Sequence, residues 1–531
     1  MRCDEKFASI PALVQGQARE LGDATYLIDG DESWSFAETE ARMLAAARGL
    51  IALGVQPGDR VALCAPNSAL WIQATLGLQA AGAILVPLST RFKASEIAYV
   101  LTSSRATVLI TAGSFLGTDY VEIMRDAVAE SGTAPQIVVL DGEHDGAISF
   151  ADMVDRGASV PERDALDRIS AIRGEDLSDI MFTSGTTGAS KGVRLRHSQA
   201  LRGFEWLGNA FGYQRGETFA VIPPFFHSFG YKAGWLSGLI QGMRVIPVKA
   251  FDALGLLELI ETHQVNVLNG PPTIFIDLMN HPRRTEFDIS SLRVGTTGAA
   301  TIPLKVIQDM HDVLGFGVVI NAYGLTESTA LVSSSRPDDD PELVASTVGR
   351  PAEGLEVIIV DDKGKELPYG DDGEIWVRGY LVMEGYWENP EATAEAITPD
   401  GFLRTGDIGN IDAQGFIKVT DRKKDMYIVG GFNAYPAEIE AALTRHDKIV
   451  NVAVIGVPDD RMGEVGWAYV IPKTDSGLTE DEVIAYAREN LANFKVPRRV
   501  VLVDELPLTP SMKVSKLPLR DHAMAQLAEA K

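Results

Sequence analysis

Over residues 1–345, short apolar runs alternate with longer stretches whose apolar residues recur at helical spacing. The runs RVALC, AILVPL, ATVLIT, QIVVL, RVIPV, VNVLNG and GVVINAYG are too short for helices and predict buried strands. AETEARMLAAARGLIALG carries the 3.6-residue period of an amphipathic helix, opened by a capping box of Ser35 and Glu38. Strands alternating with helices in this way predict parallel sheets covered by helices. The most apolar window, LWIQATLGLQAAGAILVPL, holds two glutamines and a late proline, so it predicts a helix and then a buried strand, not a membrane span.

From about residue 345 the texture changes to glycine-punctuated strands. GLEVIIVDDKGKELPYGDDGEIWVRG predicts a hairpin with its turn at DDKG. FIKVTDRKKDMYIVGGFNAYPAEIEAAL then takes the chain from a strand through a basic stretch and a glycine pair into a helix with Pro436 near its first turn. VNVAVIGVPD, GWAYVIPK, a helix opened by Thr479 and Glu482, and RRVVLVDELP complete a compact α+β unit of roughly a hundred residues. A hinge is expected near 421–425.

Length and charge narrow the picture. A chain of 531 residues exceeds one core, since single cores stop growing beyond about 250–300 residues. The balance of 48 basic and 73 acidic residues gives a net charge of −25, a field that repels nucleic acid and anionic lipid. Any phosphate must therefore be bound locally, by backbone amides and a few chosen cations. The two cysteines, Cys3 and Cys64, can form neither a disulfide framework nor a zinc cluster, which points to a reducing cytoplasm. Acids near the N-terminus and the lack of a long apolar stretch after it argue against a secretion signal.

The richest stretch is DIMFTSGTTGASKGV, residues 179–193. An apolar strand runs into Thr183, Ser184, Gly185, Thr186, Thr187 and Gly188, small residues whose amides and hydroxyls can close around phosphate oxygens, with Lys191 adding charge. It is not a Walker loop, because Lys191 follows Ser190 and precedes Gly192. In NAYGLTES a strand ends in a tight turn at Gly324 that can present Tyr323 as a stacking face, Thr326 as a hydroxyl and Glu327 as an oxygen ligand for Mg2+. In LRTGDIG, Asp407 follows a glycine, where a carboxylate can accept from both hydroxyls of a ribose.

Taken in order, these motifs resemble the adenylate-forming acyl-CoA synthetases, which share a fold with luciferases and peptide-synthetase adenylation domains. The resemblance spans nearly the whole chain. FTSGTTGASKG resembles the family's ATP phosphate loop, PPFFHSFG its acyl-pocket segment, TTGAA its adenine-side turn, YGLTE its adenine and metal motif, TGD its ribose motif and DRKKDMYIVGGFNAYPAE its hinge. FFHSFGYKAG, GPPTI and LANFKVPR are similar to bacterial ligases acting on steroid-ring fragments and other bulky alicyclic acids.

The resemblance implies an α/β fold: a large N-terminal domain of helix-covered sheets with a small β-barrel-like subdomain (1–423), and a small mobile α+β C-terminal domain (424–531). It implies ATP or AMP, Mg2+ and coenzyme A as cofactors, a carboxylic acid as substrate, and no nucleic-acid partner; monomer and homodimer both stay open. His227 would gate the carboxylate pocket, and Gly298, Ala299 and Ala300 would let adenine and acyl group lie against backbone. Arg422 would be a further ribose contact, Lys424 the hinge, and Gly430 and Gly431 the lining of a pantetheine tunnel.

In LPLTPSMKVSK the resemblance makes Lys513 the cation that bridges carboxylate and α-phosphate as charge builds up during adenylation. Thiol attack on the acyl adenylate needs no such cation, so the family swings this lysine out and the glycine-pair face in. Three alternatives remain open on sequence: a ligase that transfers to a carrier protein, a thioesterifying enzyme fed with ready-made acyl adenylate, and a non-catalytic sensor of nucleotide or acyl adenylate. The second is motivated by Met512, which stands where the family usually has glycine. If that position needs a positive φ, methionine costs about 1–2 kcal/mol, or about tenfold in rate. Met512→Gly is expected to raise acid-dependent exchange of labelled pyrophosphate into ATP by about that factor; equal exchange in the two proteins would show that the methionine does not impede the lysine.

Overall fold

Each apolar run singled out in the sequence is a strand: Arg60–Cys64, Ile84–Pro87, Val108–Thr111, Gln136–Val139, Arg244–Pro247, Val265–Asn269 and Val318–Tyr323. These assignments come from a computed structural model that describes every residue except 184–189, 299–301, 423–424, 430–431, 460–461, 509–513 and 530–531, and describes 421–422, 432–433 and 529 by backbone alone. The capping box forms as expected. The Ser35 hydroxyl accepts from Glu38 N–H at 3.1 Å, the Glu38 carboxylate accepts from Ser35 N–H at 2.7 Å, and the helix Phe36–Ala52 follows. The apolar window splits into the helix Ala69–Ala80 and the strand Ile84–Pro87. Among the described residues no helix is long and apolar enough to cross a membrane.

By contact the chain divides into two compact units, Met1–Glu356 with Arg378–Leu403, and Val357–Val377 with Arg404–Lys531. The first unit holds two large sheets. One has nine strands, in the order Arg350–Pro351, Ser333–Ser334, Val318–Tyr323, Val294–Gly298, Val265–Asn269, Thr218–Val221, Arg244–Pro247, Thr25–Asp29 and Glu32–Ser35. Its interior pairs are parallel and its outer pairs antiparallel. The other has seven strands, parallel except where Leu177–Thr183 turns back as Lys191–Arg196. One core joins both sheets through the helices Ile10–Leu21, Phe36–Ala52, Ala69–Ala80 and His197–Ala210. Apolar side chains at helical spacing make each of these helices a wall of that core. Tyr231 stacks on Trp235 with ring centres 5.0 Å apart, and Trp71 meets both edge-on.

The glycine-punctuated stretch, most of it in the second unit, forms a four-stranded sheet, Leu355–Val360, Gly373–Gly379, Leu403–Ile411 and Ile417–Arg422, in that order. The expected turn is present, with Gly364 N–H donating to the Asp361 carbonyl at 2.9 Å. The helix Pro436–Leu443, with proline in its first turn, packs on the strand Ile417–Arg422. Beyond it, Gly463–Pro472 pairs antiparallel with Ile449–Asp459 and parallel with Arg499–Leu502. Ile439, Leu443, Val483 and Ala487 cover one face of this sheet, and Leu519 and Ala523 of the last helix cover the other. At Thr479 half of the capping box forms. Thr479 accepts from Glu482 N–H at 3.3 Å, while the Glu482 carboxylate turns to Lys448 at 2.9 Å.

The sequence did not mark His197, which opens its helix at 2 % exposure. Its Nδ1 accepts from Ile10 N–H at 3.3 Å, so the fold uses the neutral ring. Burial, with the Lys232 ammonium nearby, lowers its pKa from 6.5 to about 3. Below pH 6.5 the unfolded chain binds a proton here that the folded chain refuses until near pH 3, so the stability contributed is complete above 6.5 and is lost as pH falls. His197→Asn keeps an acceptor for Ile10 and should flatten the fall in denaturation midpoint between about pH 6.5 and 4.5. An unchanged slope would show that the folded chain protonates this ring as readily as the unfolded one.

Candidate active site

Four parallel neighbours, Thr218–Val221, Val265–Asn269, Val294–Gly298 and Val318–Tyr323, end along one edge of the nine-stranded sheet. The carboxyl ends of such strands are where open α/β sheets bind ligands. Glycine sits where that edge is tightest. A Cβ at Gly298 would lie 2.5 Å from the Ala322 carbonyl oxygen, and one at Gly324 would lie 2.2 Å from the Ala330 carbonyl oxygen. Only glycine lets the backbone fold back this closely. After Gly324 a single 3-10 turn, Thr326–Ser328, presents Thr326 and Glu327 beside Tyr323. Ala330 N–H donates to the Leu325 carbonyl at 2.8 Å and fixes that turn.

The hairpin of the seven-stranded sheet brings Thr183 opposite Lys191. The Ser190 hydroxyl donates to the Thr183 carbonyl at 2.5 Å, and Tyr99 donates to the Ser190 carbonyl at 2.9 Å. Ser184, Gly185, Thr186, Thr187 and Gly188, the expected phosphate cradle, lie outside the described residues.

One residue absent from the sequence reading connects these parts. Tyr386 donates to Glu327 Oε1 at 2.9 Å, and the Lys191 ammonium lies 5.0 Å from the Tyr386 ring centre. Backbone pairing brings it there. Val193 bridges Tyr386, and Trp387 N–H donates to the Gly192 carbonyl at 2.7 Å. Burial and the adjacent Glu327 carboxylate raise the Tyr386 pKa, so the phenol stays a donor. Its only mark in the sequence is the tripeptide GYW, which many surface turns share.

His227 follows the Thr218–Val221 strand. Its Nδ1 accepts from Phe229 N–H at 3.2 Å, which puts the proton of the neutral ring on Nε2. Asn67, 4 % exposed, holds the segment that leads to it, accepting from Phe225 N–H at 2.8 Å and donating to the Pro223 carbonyl at 3.0 Å. In sequence, Asn67 reads as a turn residue after a strand. Asn269 donates to the Phe229 carbonyl at 3.3 Å from the far side.

In the second unit, Asp407 is 3 % exposed and its Cα pairs with Arg422 across the hairpin of Leu403–Ile411 and Ile417–Arg422. Asp407 N–H donates to Thr405 Oγ1 at 3.0 Å, and that hydroxyl donates to the Ile375 carbonyl at 2.7 Å. The Arg422 side chain and all of Ala299, Ala300, Lys424, Gly430, Gly431, Met512 and Lys513 lie outside the described residues. Among the described residues no three His, Cys, Asp or Glu side chains gather to hold a metal. Glu327 alone fits a Mg2+ carried mainly by phosphate oxygens and water, the usual mode for that ion.

Residues 14–387 match the AMP-binding enzyme family, and residues 438–513 match that family's C-terminal domain. The chain belongs to the AMP-binding enzyme family. It is 44% identical over 525 residues, 98% of this chain and 99% of the relative, to a (7a-methyl-1,5-dioxo-octahydro-1H-inden-4-yl)propanoyl:CoA ligase of Rhodococcus jostii. The ligase of the same name from Mycobacterium tuberculosis is 45% identical over 97% of this chain and 98% of its own. Among solved structures, ATP-bound MatB from Rhodopseudomonas palustris superposes with a TM-score of 0.85 at 29% identity, covering 97% of this chain and 99% of that one.

The Tyr386–Glu327 bond fixes the direction of one carboxylate. Tyr386→Phe keeps the ring beneath Lys191 and deletes the hydroxyl. It should slow AMP formation about tenfold, the rate equivalent of one charge-assisted hydrogen bond, with little change in thermal midpoint. Unaltered turnover would show that Glu327 keeps its aim without the phenol.

Proposed function

We propose that this chain is an acid–thiol ligase that joins a bulky alicyclic carboxylate to coenzyme A through an acyl adenylate. The observation that carries the reading is the convergence in the first unit of two features. The Tyr323–Glu327 turn and the Thr183/Lys191 hairpin are linked by Tyr386, and His227 is held on the same carboxyl edge. The substrate class rests on the two bacterial ligases, whose acid is a propanoate on a fused dioxo bicycle.

In this reading the amides and hydroxyls from Thr183 to Gly188, with Lys191, grip the β- and γ-phosphates. Tyr323 stacks on adenine, Gly298 and the alanines after it floor the pocket, and Asp407 with Arg422 binds the ribose. Mg2+ at Glu327 would supply positive charge against the pyrophosphate. His227 borders the acid carboxylate, and Lys513 brings the cation that stabilises the pentavalent transition state. Coenzyme A then attacks the mixed anhydride, AMP leaves, and Gly430 and Gly431 line the thiol's path after a turn about Lys424, between domains 1–423 and 424–531. Two buried thiols, Cys3 and Cys64, accord with a cytoplasmic setting.

The test is a panel of carboxylic acids with ATP, Mg2+ and coenzyme A, scored by mass spectrometry for both adenylate and thioester. Fused-ring propanoates are expected to exceed medium-chain fatty acids in kcat/KM by at least about tenfold, the worth of roughly two extra buried methylenes. Thioester formed on a phosphopantetheinylated carrier but not on free coenzyme A would replace the acceptor. Neither product from any acid would end the ligase reading.

A further inference from the structure

Behind the site lies a charge pair that no step of the proposed reaction uses. The Lys232 ammonium stands 3.0 Å from the Asp179 carboxylate, and both side chains are wholly excluded from water. Burying two ions is so costly that packed apolar side chains commonly serve stability as well or better. Stability alone therefore gives no reason for the pair. Its place in the fold does.

Asp179 lies on the strand Leu177–Thr183, whose far end opens the phosphate loop. Lys232 lies in the helical segment Tyr231–Leu236, the continuation of the short helix capped by His227. Alternate residues of a strand share a face, so Asp179, Met181 and Thr183 point the same way. The Ser228 hydroxyl meets the Met181 sulfur at 3.1 Å, a second rung between the same two elements. Gln79 adds a third tie, donating to the Tyr231 hydroxyl at 2.9 Å and to the Ser178 carbonyl at 3.2 Å. The Ser178 hydroxyl in turn donates to Asp179 Oδ2 at 2.6 Å and fixes the carboxylate's orientation. The segment carrying Lys232 is a π-type turn with non-helical backbone at Gly234, an irregularity frequent at functional sites.

We propose that Asp179 and Lys232 are a positioning pair that sets the register between the His227 segment and the phosphate-loop strand. The pair thereby holds the acid carboxylate in line with the α-phosphate. Neither residue touches substrate. The proposal rests on the ligase reading above, and it makes a specific demand. Register between acid and phosphate matters while the two are separate reactants, because reacting groups must sit within about 1 Å of the productive geometry. In an acyl adenylate they are already bonded, so the same slip matters far less.

The test reads the two half-reactions separately on the full chain, with the acid that performs best in the panel. Adenylation is followed by pyrophosphate exchange into ATP, and thioesterification by coenzyme A consumption from supplied acyl adenylate. The main variant is the double replacement Asp179→Leu with Lys232→Met, which removes both charges and keeps the core apolar. Its thermal midpoint is expected at or above that of the unaltered chain, while exchange falls roughly 10- to 100-fold and thioesterification changes by less than about threefold. Lys232→Met alone, which leaves a buried carboxylate unpaired, should lose thermal midpoint, and Asp179→Leu should restore it. Asp179→Asn keeps the side chain's shape and gives the same comparison of half-reactions if the double variant does not fold. Full exchange in the double variant, or an equal fall in both half-reactions, overturns the positioning role and leaves a structural one. An unaltered chain that performs neither half-reaction overturns the ligase reading and this proposal with it.

Discussion

Parallel pairing forces neighbouring strands to stop on the same side, and the site residues of the first unit hang from that ledge or from the hairpin tied to it. Val221, Asn269, Gly298 and Tyr323 end four such strands. The ledge is narrow because Gly298 and Gly324 lie against carbonyl oxygens, where a side chain would collide with backbone. Backbone geometry of this kind cannot be relieved by turning a rotamer. It sets the direction in which Thr326 and Glu327 emerge.

A protein with a net charge of −25 must bind polyphosphate against its own field. In the proposed site of the first unit, few cations stand in well-defined places. Lys191 rests over the Tyr386 ring, whose hydroxyl is committed to Glu327. The three side chains therefore form one series of contacts, from a cation through a neutral donor to a carboxylate. The phenol suits the middle of that series because burial beside a carboxylate keeps its proton in place.

Deeper in the same unit, a second set of polar groups is buried. Asp179, Lys232, Ser178, Gln79 and His197 are each less than 7 % exposed. Hydrogen bonds engage Gln79 Nε2, the Ser178 hydroxyl, Asp179 Oδ2 and His197 Nδ1, while Lys232 Nζ and Asp179 Oδ1 face each other as an ion pair. The low dielectric around them makes orientation strict, since a displaced partner leaves an uncompensated charge or donor. The cluster joins the strand Leu177–Thr183, the helical segment that follows His227 and the helix Ala69–Ala80, elements that the chain contributes from widely separated positions.

The sequence by itself determined the elements and the motifs. The seven apolar runs fixed seven strands of the two large sheets because period and length leave little choice for a buried segment, and Ser35 with Glu38 fixed a helix start because the capping bonds are local. Glycine-led turns fixed Tyr323, Thr326, Glu327 and Asp407 as candidates for the same reason. Tertiary structure alone decided which of these meet. Tyr386 joins the site through strand pairing with Val193, Asn67 reaches the His227 segment from the other sheet, and Lys232 finds Asp179. A lysine in FGYKAG and an aspartate in LSDIM look like ordinary surface residues in sequence. Burial and partnership are properties of how segments fold together, and no local pattern of one segment records the charge of another.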